Sequence, residues 1–118
     1  MDSCVNYAEL SKQAIMNYAT FYAQGGITSM RPVFDEQRQS YLLLDISWQN
    51  DIYLYNVPIH LELIDGKIWI QHDETEEGIA TDLRDAGVPR QDIVLGFRPP
   101  ELRQYTGFGT GQTPTASR

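Results

Sequence analysis

The sequence predicts an α+β domain of two layers, in which an antiparallel meander of strands is covered by helices. An amphipathic helix pattern opens the chain, alternating strands follow around an Asp65-Gly66 pair, and a segment with helix-capping residues comes after them. A chain of 118 residues buries about two-thirds of its open surface on folding, which is enough for one core. We expect one domain over residues 1–108 and a flexible tail over residues 109–118.

The first helix is predicted between Cys4 and Tyr22. Apolar residues recur there at gaps of mostly three and four, the spacing that places them on one helix face, and they are Tyr7, Ala8, Ile15, Tyr18, Ala19 and Tyr22. Gly25-Gly26 ends the pattern. Cys4 is the only cysteine, so an internal disulfide and a four-cysteine zinc site are excluded.

Alternation of apolar and polar residues with a period of two predicts the strands. The predicted strands are residues 41–49, 52–55, 57–64 and 67–71. Asp65-Gly66 stands between the last two, and such a pair between alternating runs indicates a tight hairpin, because both residues tolerate positive φ. The strands therefore form an antiparallel meander.

A second helix is predicted near residues 75–86. Asp73 or Thr75 can cap its free N–H groups, and acidic residues in its first turn complement the helix dipole. Gly87 ends it. Residues 90–97 have the pattern of a turn and a short apolar run, and residues 99–105 that of one or two helical turns.

The charge distribution predicts a protein partner rather than autonomous DNA binding. The 9 Lys and Arg against 16 Asp and Glu give a net charge of −7, whereas DNA binding draws most of its affinity from basic side chains on phosphates. The acidic excess lies in residues 41–87, while residues 88–118 carry four bases and two acids. No apolar run approaches the roughly 20 residues that span a bilayer, and the first residues lack a leader pattern, so we expect a cytoplasmic protein.

The acids Asp73, Glu74, Glu76 and Glu77 beside His72 form the one cluster that suggests a metal or an acid–base pair. Adjacent acids spread around a helix circumference instead of converging, so helix capping is the favoured interpretation. His60 and His72 lie on neighbouring predicted strands and could approach each other, but they lack the spacing of paired zinc ligands. A nucleophile elbow and a phosphate-binding loop are also absent from the sequence, so we expect neither catalysis nor a cofactor.

Trp69 falls on the strand face opposite to Ile68 and Ile70. Either this side chain packs under the first helix or it meets a partner, since tryptophan is enriched at interface hot spots. Both alternatives remain open at this point.

Several strings in the second half of the chain are distinctive. They are Gly66-Lys67-Ile68-Trp69-Ile70-Gln71, then Asp73, Thr75-Glu76, Gly78-Ile79-Ala80, Ala86-Gly87-Val88-Pro89, Asp92-Ile93-Val94-Leu95-Gly96-Phe97 and Arg103. The chain resembles the cyanobacterial XisI family, the fdxN element excision controlling factor proteins, from about the first helix to Phe108. Residues 47–56 depart from the family's pattern, in which a short basic and aromatic stretch follows a Gly-Trp pair.

This resemblance implies a controlling factor that works beside a nuclease-like companion, XisH, in excision of a DNA element during heterocyst development. It supplies no catalytic residues. We expect a non-enzymatic partner protein. Residues 73–77, the acidic segment, can imitate the phosphate charge that a basic surface binds. The candidate partner interface is Lys67, Trp69, Gln71, Asp73, Glu76 and Glu77.

The alternative is a DNA-binding excision factor that uses the basic end of the chain. Its candidate contacts are Arg90, Arg98 and Arg103. A homodimer is a further expectation, since a half-buried sheet with many aromatic residues offers a surface for a second copy.

Overall fold

The protein is described by a computed structural model that covers residues 6–75 and 78–111. Its helices are α1 (Tyr7–Gln24) and α2 (Ile79–Asp85). Its strands are β1 (Met30–Asp35), β2 (Ser40–Gln49), β3 (Ile52–Ile64), β4 (Lys67–Asp73) and β5 (Ile93–Leu95), and short 3₁₀ turns span Arg90–Asp92 and Pro100–Tyr105. These elements confirm the predicted α+β class.

Helix α1 begins and ends at residues with clear local causes. The Asn6 side chain accepts a hydrogen bond from the backbone N–H of Glu9 at 3.1 Å, which satisfies one free donor of the first turn. At the other end the N–H of Gly25 reaches the carbonyl oxygens of Phe21 and Tyr22 at 3.3 and 3.1 Å. The predicted helix is confirmed, although its predicted start at Cys4 lies outside the described residues.

The sheet has the order β1-β2-β3-β4-β5, with the first four strands antiparallel and β5 parallel to β4. Both hairpin turns in the middle use positive φ, at Asn50 and Asp51 (51° and 67°) and at Asp65 and Gly66 (53° and 76°). The predicted meander is confirmed for β2 to β4, but the two strands predicted at residues 52–55 and 57–64 form one continuous strand, β3. The parallel strand β5 makes the sheet mixed, which the sequence pattern did not predict.

One face of the sheet carries the core, and both helices pack against it. Its completely buried side chains are Ile15, Tyr41, Leu43, Ile59, Leu61, Ile68, Ile70, Ile79 and Ile93. In the alternating strands β2 and β4 these residues are two apart, so the residues between them point to the opposite face.

A bulge at Gln71 changes the face of the residues that follow it. Leu61 pairs with Ile70, but the next pair is His60 with His72, so β4 holds one extra residue. His72 therefore shares the outer face with His60, and Asp73 points to the helix side.

Helix α2 is shorter than predicted, starting at Ile79 instead of near residue 75. Gly78 precedes it with φ of +88°, a conformation that breaks the helix there. At the other end Gly87 has φ of +112°, and the N–H of Val88 reaches the carbonyl of Leu83 at 3.1 Å, which confirms the predicted stop. Within the described residues, neither helix is long and apolar enough to cross a membrane.

Candidate protein-interaction site

Asp73 organises the connection between β4 and α2. Its carboxylate accepts hydrogen bonds from the N–H and hydroxyl of Thr75 at 2.8 and 2.6 Å and from the N–H of Ile79 at 2.8 Å. The Thr75 hydroxyl in turn accepts from the N–H of Gly78 at 3.1 Å. Asp73 thus caps α2 from six residues upstream, and the capping interpretation of this acid holds.

The other acids of the segment do not share this arrangement. The exposed carboxylate of Glu74 lies 2.8 Å from Nε2 of His72 and 3.4 Å from the side-chain amide of Asn56. Glu76 and Glu77 lie outside the described residues. The predicted acidic surface is therefore represented in the described residues by Glu74 alone, since Asp73 is directed inward.

The two histidines are paired across β3 and β4, as the sequence suggested they could be. Nε2 of His60 lies 2.9 Å from the Ser40 hydroxyl and 3.7 Å from the Glu62 carboxylate. A serine–histidine–acid relay needs the acid on the other ring nitrogen, and both contacts are made here by the same one. No group of three or more metal-ligating side chains converges within residues 6–75 and 78–111.

Trp69 lies on the outer face and is covered by the C-terminal segment, residues 96–111. The Arg103 guanidinium stacks on the indole at 5.0 Å from the ring centroid. A Cβ atom on Gly111 would stand 2.5 Å from the same ring, so only glycine permits this close packing. The alternative in which Trp69 packs under α1 is wrong, because the alternation of β4 turns Ile68 and Ile70 toward the helices and Trp69 away from them.

The remaining predicted interface residues occupy the same outer face. Lys67 stands at the start of β4, two residues before Trp69, and Gln71 donates a hydrogen bond to Glu62 at 3.1 Å. Lys67, Trp69 and Gln71 thus share one face, whereas Asp73 points to the other.

The three candidate arginines differ in availability. Arg103 donates to the carbonyl oxygens of Arg98 and Gly96 at 3.1 and 3.3 Å, in addition to its stacking on Trp69. Arg98 and Arg90 are exposed, and Arg98 lies over the ring of Phe97 at 5.3 Å. Arg103 therefore holds the C-terminal segment on the sheet, and the other two face solvent.

The C-terminal segment is attached as far as the structure describes it. Gly109 forms a bridge to Val94, and its N–H reaches the Ile93 carbonyl at 2.8 Å. With Gly111 against Trp69, residues 109–111 pack on the domain, and residues 112–118 lie outside the described part of the chain.

The far end of the β2–β3 hairpin, residues 47–55, projects as an aromatic arm. Trp48 is 70% exposed and pairs across the hairpin with Tyr53, their ring centroids 5.1 Å apart. Tyr55 and Ile52 are also more than half exposed. Sequence reasoning treated these residues as sheet positions and missed the arm, although the position of Trp48 and Tyr53 around the Asn50-Asp51 turn was a signal for it.

The arm continues into an outer sheet face that α1 and α2 leave open. Leu42, Leu44 and Ile46 of β2 lie on this face and are only partly buried, and Val33 of β1, which pairs with Leu42, is exposed. Contiguous apolar patches of this kind on a single domain mark sites of interaction. The arm and the open face together form the candidate interaction site.

Comparison with known families supports one assignment. A family model described as XisI protein matches residues 1–110. No curated protein sequence matches the chain significantly.

Two crystal structures are similar in fold and sequence. A XisI-like protein from Anabaena variabilis is 38% identical, with a TM-score of 0.80 over 87% of this chain and 94% of that one. The fdxN element excision controlling factor XisI from the same organism is 32% identical, with a TM-score of 0.77 over 89% of this chain and 96% of that one.

Proposed function

The chain belongs to the XisI protein family, and from that premise we propose that it is a non-enzymatic controlling factor for excision of a DNA element. It acts by binding a protein partner, an XisH-like nuclease-like protein, rather than by cutting or joining DNA. The similar protein named as the fdxN element excision controlling factor supports the process. The aromatic arm is the observation that supports the mode of action.

The arm suits a protein surface better than a nucleic acid. It presents Trp48, Tyr53 and Tyr55, side chains of the types that dominate binding energy at protein interfaces, and residues 47–56 contain no Lys or Arg. A surface without cations gains nothing from phosphates. We therefore place the XisH-like partner on the arm and the adjoining open sheet face.

Charge supports the same partner class. The net charge of −7 repels DNA and attracts a basic surface such as that of a nucleic-acid-binding protein. Glu76 and Glu77, with Glu74, are the proposed contributors to this attraction from the acidic segment.

The arm variant Trp48→Ala/Tyr53→Ala tests the proposal against the purified XisH-like protein of the same organism. Loss of these two hot-spot side chains should raise the dissociation constant by at least about thirtyfold, since even one such residue contributes on the order of 2 kcal/mol. Tyr105→Ala is the matched control, because Tyr105 is 77% exposed outside the arm. Equal binding by the arm variant and the control would overturn the assignment of the arm.

The charge contribution is tested separately with Glu76→Lys/Glu77→Lys. We expect weaker binding at low salt and a smaller difference at high salt, because the attraction is screened. Unchanged binding at low salt would remove the acidic segment from the interface and leave the arm untouched.

A second copy of this chain is the competing occupant of the open sheet face. Sedimentation of the isolated protein distinguishes the two. A monomer that forms a complex only with the XisH-like protein supports the proposal, whereas a stable homodimer that Trp48→Ala/Tyr53→Ala dissociates would assign the arm to self-association.

The alternative function is direct DNA binding through Arg90 and Arg98, which are exposed. It predicts duplex binding by the isolated chain that falls steeply with salt. The engagement of Arg103 with Trp69 leaves this segment with fewer free cations than the sequence offers, and we favour the protein partner for that reason. A duplex shifted by micromolar protein in a salt-dependent manner would favour the alternative.

A further inference from the structure

A cleft of about 900 Å³ lies between α1 and α2. Its described lining residues are Asn17, Tyr18, Phe21, Tyr22, Glu74, Asp82, Asp85 and Ala86. This volume is within the range of sites for small organic groups and side chains. Aromatic rings form one wall and carboxylates the other.

The aromatic wall comes from the last two turns of α1. Tyr18 and Tyr22 are four residues apart, so they stack along one face, with ring centroids at 6.4 Å. Phe21 meets Tyr22 edge-on at 5.7 Å and is 66% exposed. The exposed ring of Phe21, beside Tyr18 and Tyr22, is accessible to a ligand.

The opposite wall is acidic. Burial is the main reason that the pKa of Tyr18 is raised to about 12. A hydrogen bond from Thr75 opposes this shift and one to Asp82 adds to it, and the phenol is protonated at neutral pH. The Asp85 carboxylate lies 3.2 Å from the Arg84 guanidinium, and the Glu74 carboxylate lies 2.8 Å from Nε2 of His72. None of the described lining residues is basic.

The end of α1 adds to this field. A helix C-terminus carries a partial negative charge that basic side chains in the last turn usually offset. The last turn of α1 contains no basic residue, and Phe21 and Tyr22 belong to it. The aromatic rings and the negative end of α1, which no basic side chain in its last turn offsets, both favour a cationic ligand.

We propose that this cleft binds the guanidinium group of an arginine side chain presented by the protein partner. A planar cation gains from the faces of Phe21 and Tyr22 and from the carboxylates of Asp82 and Asp85, and the flat guanidinium suits stacking better than an ammonium group does. An anion would meet carboxylates, and a neutral apolar group would bury them without compensation. The proposal rests on the proposed function for the source of the arginine, since it assumes a protein partner.

The test measures the cleft directly, with Nα-acetyl-arginine methylamide as the probe and the uncharged Nα-acetyl-norleucine methylamide as its control. In a titration followed by ¹⁵N NMR, the arginine probe should shift the amide signals of residues 17–22 and 82–86. The norleucine probe should shift them much less.

Two exposed substitutions in the cleft keep the test independent of folding. Phe21→Ala/Asp85→Asn should weaken binding of the arginine probe by at least about threefold, as expected for one cation–π contact of 0.5–1 kcal/mol and one charge. Tyr105→Ala/Glu101→Gln removes one exposed aromatic ring and one exposed acid elsewhere and should leave binding unchanged. Equal shifts with both probes, or equal loss in both double variants, would overturn the proposal.

The XisH-like protein separates this proposal from the proposed function. If the partner binds wild type and Phe21→Ala/Asp85→Asn equally well, and the probe gives no shifts, the cleft assignment fails while the function stands. If the probe binds the cleft but the XisH-like protein does not bind the chain, the site stands and the proposed partner fails.

Discussion

Replacement of Asp73 by alanine tests whether this acid is a structural cap. The carboxylate accepts from two donors of Thr75 and from the N–H of Ile79, all at 2.8 Å or less. A net loss of about 1 kcal/mol for each bond, reduced because water reaches the half-buried site, gives a destabilisation of about 2 to 3 kcal/mol. For a domain of this size, that lowers the melting temperature by roughly 8 to 12 °C.

The matched control is Glu74→Ala, which removes the same charge from the adjacent position. Glu74 is exposed and binds only side chains at the surface, so its loss should change the free energy of unfolding by no more than about 0.5 kcal/mol. Thermal unfolding followed by circular dichroism measures both variants. Equal melting temperatures for Asp73→Ala and Glu74→Ala would refute the capping account and return Asp73 to the candidate interface.

Three further outcomes follow from the packing and the titrating groups. Ser11 is completely buried and its hydroxyl has no hydrogen-bond partner among the described residues, so Ser11→Ala should raise the free energy of unfolding by roughly 0.5 to 2 kcal/mol in a denaturant titration; a loss of stability would contradict this. Gly109→Ala would place a Cβ 2.2 Å from the backbone oxygen of Gln91, so it should destabilise the domain by at least about 1 kcal/mol. Thermal unfolding against wild type measures this loss, and an unchanged melting temperature would show that residues 109–111 are not packed on the domain. Burial raises the pKa of both Tyr7 and Tyr18 to about 12, and hydrogen bonds to acids contribute. Since the folded pKa lies above the unfolded value of about 10, stability should be retained below pH 10 and lost as the pH rises toward 12. Phenolate absorbance that rises well before unfolding would contradict this expectation.

Local patterns predicted the helices and hairpins because their causes are local. The alternation around Asp65 and Gly66 placed both strands and the turn, and Gly87 marked the end of α2. The start of α2 was predicted too early because a capping residue usually stands directly before a helix, whereas Asp73 reaches forward six residues to Ile79.

The features that the sequence did not reveal depend on contacts between distant segments. Three residues of β5 give no periodicity, and their pairing with β4 joins positions about 25 apart in the chain. The cover of Trp69 depends on Arg103 and Gly111, which arrive from beyond the second helix. The bulge at Gln71 reverses the face of Asp73, so a candidate interface read from simple alternation includes one residue that points inward.

The same distinction applies to the interaction site. Sequence strings such as Gly66 to Gln71 indicated the family, but they also led to a candidate interface on β4 instead of the arm. The exposed arm depends on how far the β2–β3 hairpin extends beyond the helices. Trp48 continues the alternation of the partly buried outer-face residues Leu42, Leu44 and Ile46. Burial, which the pattern does not encode, separates the arm from the core.

The central claim is that the chain acts through a protein and reaches DNA only through that protein. The most direct measurement is sedimentation of the chain, labelled at Cys4, its only cysteine, with the XisH-like protein, with duplex DNA carrying the excision site, and with both. The account predicts a complex with the XisH-like protein, none with duplex alone, and a ternary complex when all three are present. Binding to the duplex in the absence of the XisH-like protein, or no complex with the XisH-like protein, would contradict it.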